Sequence, residues 1–251
     1  MTATMRALAG VLGVALAAGS ASAQDLSNLT TEDRKVLRAE MRDYLMSNPE
    51  IIEEAEAALE QKRARAARER DGQVVADNLD ALHADPLSAE TGDPEGDFTV
   101  VVFSDFSCPH CEAFHPDLLA FSEDNPEVRV VFKEMPILGQ RSVMAAAFAV
   151  AVHDLAGDDA YVTAAERIFE EQGALNGGTY DDIASEIDLD REKITARMNE
   201  KDVRAHLQAN LDLAEEMGIR GTPAIVMDDV ILRGAPDPEN LQRAYEILRE
   251  D

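Results

Sequence analysis

A chain of 251 residues has room for one or two domains, and with 45% apolar and 29% charged residues it can bury a core, which excludes a wholly disordered chain. Its 23 Lys and Arg stand against 50 Asp and Glu, a formal charge of −27, which argues against nucleic acid or an anionic membrane surface as the main partner. The 2 cysteines cannot build a four-thiolate zinc site or a multi-disulfide scaffold. They leave one disulfide, one redox pair or part of a mixed metal site.

The N-terminus reads as an export signal. Arg6 supplies positive charge, Ala7 to Ala18 is an apolar run, and Ala21-Ser22-Ala23 fits an A-x-A cleavage site. The run falls short of the roughly 20 residues that span a bilayer. Residues 1–23 are therefore expected to be removed, leaving Gln24 as the mature start in an oxidising compartment. An uncleaved anchor is the alternative.

Residues 24–90 read as a helical arm. Thr30 is placed to cap a helix with Glu32 and Asp33 in its first turn, and Val36, Leu37, Met41, Tyr44 and Leu45 fall near one stripe. Asn48-Pro49 ends it and starts a second helix, with Asn48 as cap and Pro49 at the first position, running toward Leu82. That helix is rich in Ala, Glu and Arg and short of large apolar residues. It reads either as an oligomerisation arm paired through a narrow stripe or as a solvated helix lying on its own body. The basic run from Lys62 to Arg70 is interleaved with Glu60 and Glu69 and reads as a solvated face.

Asp85-Pro86 and the stretch from Thr91 to Asp97 carry turn and linker chemistry. From there residues 91–251 read as one α/β domain. Phe98 to Phe103 and Val128 to Phe132 are short apolar, β-branched runs expected as buried strands, with a helix from Cys108 to about Glu123 between them. This order predicts a parallel pair with a crossover helix. A helical insertion follows at about 140–200, extending in pieces to Met217 and punctuated by Gly157, Gly173 and Gly177-Gly178. Its last piece runs from Arg191 to Met217, and breaks within the pieces are expected. Ala224 to Met227 and Val230 to Arg233 are expected as a hairpin, and Asp237-Pro238 opens a last helix carrying Leu241, Tyr245 and Leu248.

The chemistry concentrates in Cys108-Pro109-His110-Cys111, between a predicted strand and a predicted helix. Unpaired N–H groups and the macrodipole at a helix N-terminus favour a thiolate at Cys108, and the thiolate is the nucleophile. His110 adds a positive charge or a hydrogen bond, and Pro109 fixes the turn. Cys111, one turn on, is placed to resolve a mixed disulfide at Cys108. A structural disulfide over so short a loop gains little from the unfolded chain. A metal site is the other reading, since Cys108, His110, Cys111 and His115 are two thiols and two imidazoles within eight positions, suited to monovalent copper or zinc. Gly221-Thr222-Pro223 stands directly before the third strand. A cis bond there, of the kind essentially confined to proline, would turn the Thr222 backbone outwards beside the cysteines, where it can pair with an extended substrate.

The strand–C-x-x-C–helix unit, the Gly221-Thr222-Pro223 turn and the helices between them resemble the DsbA family of thioredoxin-fold oxidoreductases. The Phe132-Lys133-Glu134-Met135-Pro136-Ile137-Leu138-Gly139 stretch and the N-terminal helices are similar to its ScsC-like branch. The resemblance implies a thioredoxin-like fold with a helical insertion behind an N-terminal helical arm. It implies a periplasmic enzyme that forms or isomerises disulfides, with Cys108 as nucleophile, Cys111 as resolving thiol and Pro223 as cis-proline. Cysteine-containing exported proteins would be its substrates and a membrane protein its redox partner, with a homo-oligomer through the arm and no cofactor. A monomer recycled at the membrane would oxidise, and an oligomer with facing sites would isomerise. A copper-binding or copper-tolerance protein using the same thiols is the alternative. One departure stands out. The acidic residue that many relatives place six positions before the first cysteine is Val102 here, leaving Asp105, Lys133 and Glu134 as candidates for its role.

Overall fold

The structure is a computed structural model that describes residues 29–171 and 176–250. The expected export signal and the Gly173 turn lie outside the described residues. The described residues divide into two compact units, one ending at Leu59 and one beginning at Glu60.

In the first unit, α1 (Thr31–Ser47) begins with a reciprocal cap. The Thr30 hydroxyl accepts from Asp33 N–H at 3.2 Å, and the Asp33 carboxylate accepts from Thr30 N–H at 3.0 Å, so two orphan donors are satisfied at once. No residue of α1 is buried. Val36, Leu37, Met41 and Tyr44 stand exposed, Tyr44 at 61%. Asn48 was expected to cap the following helix, and it does something else. Its side-chain amide donates to the Tyr44 carbonyl at 2.8 Å, closing α1 at its C-terminus. The next helix, α2 (Glu50–Asp77), starts without a side-chain bond from Asn48.

The second unit is built on a five-stranded sheet in the order β1-β3-β2-β4-β5. β2 (Phe98–Ser104) and β3 (Val128–Glu134) pair in parallel, joined by α4 (Pro109–Asp124). β4 (Ala224–Met227) and β5 (Val230–Arg233) form an antiparallel hairpin, and β4 lies antiparallel to β2. β1 (Glu90–Gly92) pairs antiparallel with β3 inside a stretch that reads as linker. Three residues of Glu-Thr-Gly carry no strand pattern; tertiary contact makes the strand. Arg129 of β3 grips Glu90, and Gly92 sits at φ +85 where a Cβ would stand 2.1 Å from the Val128 carbonyl oxygen.

Alternation along the strands splits the core in two. Val100, Val102, Val128, Val130 and Phe132 face α4 and the helical insertion. Val101, Phe103 and Val131 face the other way, onto Leu213, Met217 and Ile219. Val75 of α2 and Leu82 of α3 (Leu79–His83) belong to this second core, at 3% and 0% exposure. Arg233 also grips Asp71 of α2, with bonds of 2.8 and 3.0 Å.

The insertion comprises α5 (Gln140–Ala156), α6 (Asp158–Glu170), α7 (Gly177–Glu186), α8 (Arg191–Met198) and α9 (Lys201–Glu216). The stretch from Arg191 to Met217, expected with breaks, divides at Asn199-Glu200, where no Gly or Pro marks the position. Arg197 organises the break, donating to Asp154 of α5 at 2.7 Å and to Asp202 at 2.7 and 2.8 Å. α10 (Pro238–Glu250) closes the domain. Its Tyr245 meets Phe98 of β2 and Phe121 of α4 edge-on, at 4.9 and 5.5 Å, contacts worth about 0.5–1.5 kcal/mol each beyond area burial.

Candidate functional site

The loop from β2 to α4 is shaped by Asp105, which is buried. One carboxylate oxygen accepts from Ser107 N–H at 2.8 Å, and the other accepts from Ile137 and Leu138 N–H at 2.8 and 3.0 Å. Its carbonyl accepts from Cys108 N–H at 3.0 Å. These bonds tie the loop before the cysteines to the segment after β3, and they occupy the carboxylate fully in positioning backbone.

Cys108 is the N-cap of α4, in extended conformation at φ −92, ψ 118, and Pro109 takes the first helical position. The Cys108 carbonyl accepts from both Cys111 and Glu112 N–H at 3.0 Å. The Cys108 thiol thus stands at the positive end of the α4 dipole, and its side chain makes no cap hydrogen bond. Cys108 and Cys111 are both unbridged thiols. Cys111 lies deeper, at 2% exposure. Burial pushes its thiol up to about 11, although Asp105 N–H and the Ser104 and Thr222 side chains bond to its sulfur. Pro109 and His110 are exposed at the helix start.

Register brings the distant turn to this point. Ala224 of β4 pairs with Phe103 of β2, so the residues just before Ala224 lie beside those just after Phe103. The Thr222–Pro223 peptide bond is cis. The Thr222 carbonyl oxygen stands 3.3 Å from Cys108 Sγ and accepts its thiol hydrogen. Pro223 is buried, and its carbonyl accepts from Gly234 N–H at 3.0 Å, which ties the turn to the end of β5.

The two imidazoles near the cysteines go different ways. His110 is exposed. His115 is buried against Phe169 and Phe132, ring centroids 5.0 and 6.0 Å away, and burial drops its imidazole to about 4. Among the described residues no group of three or more His, Cys, Asp and Glu is arranged to hold a metal ion.

Of the candidates for the acid missing at Val102, Lys133 and Glu134 lie in a polar cluster that no local pattern announces. Lys133, wholly buried, donates to Asp85 at 3.0 Å. His206 of α9 stands between Asp85, 3.0 Å from Nδ1, and Glu134, 3.6 Å from Nε2. Burial works against the imidazolium, but the two carboxylates outweigh it and raise His206 to about 9. Asp85 is held well below the usual carboxylate range, its own burial outweighed by bonds from His206 and Lys133. The signal in the sequence was Lys133-Glu134 ending an apolar strand; their partners Asp85 and His206 are 48 and 72 positions away.

Comparison with known proteins agrees with the fold. Residues 84–246 match the family model described as thioredoxin, and residues 33–66 match the copper resistance protein ScsC N-terminal domain. The crystal structure of Proteus mirabilis ScsC in a transitional conformation is 32% identical, with a TM-score of 0.63, covering 88% of this chain and 98% of that one. A linker-deletion mutant of the same protein gives 29% identity and a TM-score of 0.66 over 90% and 99%. Disulfide bond formation protein D of Bacillus subtilis is 24% identical over 165 residues, 62% of this chain and 74% of that protein. The likeness to α-DsbA2 of Wolbachia pipientis, at 23% identity and a TM-score of 0.67, concerns the fold. With a thioredoxin-like domain over most of its length, an ScsC N-terminal segment before it and a thiol–disulfide oxidoreductase-like character, this chain belongs to the thioredoxin-like DsbA family, in its ScsC-like branch.

Proposed function

We propose that the protein is a periplasmic thiol–disulfide oxidoreductase acting on cysteine-containing exported proteins through the Cys108–Cys111 pair. The observation that carries this reading is the contact of Cys108 Sγ, at the N-terminus of α4, with the Thr222 carbonyl 3.3 Å away. In the oxidising direction a substrate thiolate attacks Cys108 Sγ, the Cys108–Cys111 bond breaks, and Cys111 leaves and takes up a proton. A second substrate thiolate then attacks the substrate sulfur of the mixed disulfide and releases Cys108 as thiolate. The substrate loses two electrons, and the enzyme is left as a dithiol for a membrane redox partner to reoxidise. Isomerisation starts instead from reduced Cys108 attacking a substrate disulfide.

Thr222 and Pro223 are the residues we assign to substrate binding, by pairing with an extended segment beside the sulfur. Pro109 and His110 set the environment of Cys108 at the exposed start of the helix. No helix among the described residues is long and apolar enough to cross a membrane. Export through residues 1–23 and a homo-oligomer through the exposed stripe of α1 complete the proposal, and an oligomer with facing sites would favour isomerisation.

Equilibration with glutathione buffers, followed by counting free thiols, tests the reading. A reversible two-electron transition confined to Cys108 and Cys111 is expected, near about −120 mV for an oxidase and more negative for a reductant. A pair that fails to cycle anywhere between about −270 and −120 mV would contradict it.

A further inference from the structure

A groove of about 810 Å³ runs between α4 and α6, beginning at Pro109 beside the proposed nucleophile. That volume is in the range of sites that hold several residues or a drug-sized ligand. Four carboxylates line it, from Glu112, Glu166, Glu170 and Glu186. Its lining holds one cation, Arg167, which is already paired with Glu170 and, at 3.2 Å, with Glu186. Glu112 and Glu166 form no ion pair among the described residues, and Glu166 is exposed.

The wall adds acceptors and unmet polar atoms. His115, 7% exposed, lines the groove, and its Nε2 has no hydrogen-bond partner among the described residues. Pro116, also in the wall, has no N–H, so the Glu112 carbonyl lacks the usual helical donor four residues on. The Thr163 hydroxyl is spent on the Asp159 carbonyl at 3.0 Å. Acceptors and negative charge thus outnumber donors, and a cleft lined by one sign of charge concentrates ligands of the other.

We infer that this groove receives a Lys- or Arg-bearing segment next to the substrate's cysteine, so that basic cysteine-containing chains are the preferred substrates. The inference rests on the oxidoreductase reading, because the segment is held there while its sulfur meets Cys108. The reach fits. Glu112 lies four residues past Cys108, about 6 Å along the helix axis. An extended chain covers that in about two residues, and Glu166 lines the same groove. A bound metal does not explain the groove, since the described residues offer no cluster of three or more ligands.

The test uses the mature full-length protein with its disulfide formed. Three short peptides are compared, each with one thiol and with Lys, Gln or Glu two and four positions from it, at low ionic strength. The rate of mixed-disulfide formation at Cys108 is read for the wild type, Glu166→Gln and, as a control outside the groove on α9, Glu215→Gln. Glu112 borders a second cavity with Arg141, so Glu166 is the cleaner probe. The Lys peptide should react fastest, and Glu166→Gln should slow it by about threefold while leaving the Gln peptide unchanged, with Glu215→Gln slowing neither. Equal rates for the three peptides would overturn the inference. So would a Lys preference that Glu166→Gln and Glu215→Gln leave alike, because the attraction would then come from the net charge of the whole chain. No exchange with any peptide would instead bring down the oxidoreductase reading on which the inference rests.

Discussion

Cys108 Sγ donates to the carbonyl oxygen of Thr222 at 3.3 Å, across 114 positions of chain. The pairing of Phe103 with Ala224 sets this distance, so the sheet itself holds the two halves of the site together. On the proposed function, a substrate's extended backbone would pair with Thr222 beside the sulfur.

The two thiols should differ sharply toward alkylating reagents. Cys111 is deeply buried and its thiol is pushed up to about 11, so at pH 8 it stays protonated and covered. Brief treatment of the reduced protein with iodoacetamide should give a single adduct, on Cys108. Mass mapping that finds both cysteines labelled at equal rates would contradict this assignment.

Stability should fall as pH rises from neutrality through 9. His206 is raised from 6.5 to about 9 by Asp85 and Glu134 against its burial, so its contribution is complete below about 6.5 and is lost as pH climbs through about 9. The full shift corresponds to about 3 kcal/mol at most. Asp85, held low, acts with the opposite sign, giving stability present above about 4 and lost in acid. Urea titrations at pH 6 and pH 9 should show the wild type losing stability and His206→Gln losing much less across that span. A variant with the same slope as the wild type would show that His206 does not carry it.

Asp85→Asn should destabilise by about 3–5 kcal/mol, because it leaves Lys133 wholly buried with its charge uncompensated. Chemical denaturation reads this directly. A loss under about 1 kcal/mol would contradict the pairing of Lys133 with Asp85 as its compensation.

Gly92→Ala should disrupt the β1–β3 pairing. The added methyl would meet the Val128 carbonyl at 2.1 Å, and φ +85 already disfavours any side chain. Amide exchange should speed up at residues 90–92 and their β3 partners while the β2–β4 pairing keeps its protection. Unchanged protection at β1 would contradict the pairing.

The exposed stripe of α1 predicts association. Light scattering of the mature chain should give a mass above that of a monomer, and a chain beginning at Glu60 should be monomeric. Starting instead near Thr91 would remove Val75 and Leu82 from the core and should unfold the domain. Monomeric behaviour of the mature chain would contradict association through the arm.

What was legible in the sequence followed from how local its causes are. The strands of Val, Ile and Phe bounded by turns announce themselves, and the Ala224–Met227 and Val230–Arg233 hairpin was placed by Asp228-Asp229 between two apolar runs. The C-x-x-C unit was readable because strand, cap and helix start are contiguous. β1 was not, since its three residues become a strand only by meeting β3. The position of the break between α8 and α9 was hidden because Arg197 sets it with Asp154, 43 positions away. The same holds for Asn48, whose residue type fits either end of a helix; the Tyr44 carbonyl decided its role. The Asp85–Lys133–His206–Glu134 cluster joins separate segments, and no periodicity can encode that.

The most direct measurement of the central claim is the fate of a substrate on the Cys111→Ser variant. Without the resolving thiol, the mixed disulfide should accumulate on Cys108, and peptide mapping should find the substrate joined there and nowhere else, while Cys108→Ser captures none. Exchange that persists in Cys108→Ser, or substrate recovered on another residue, would contradict the account.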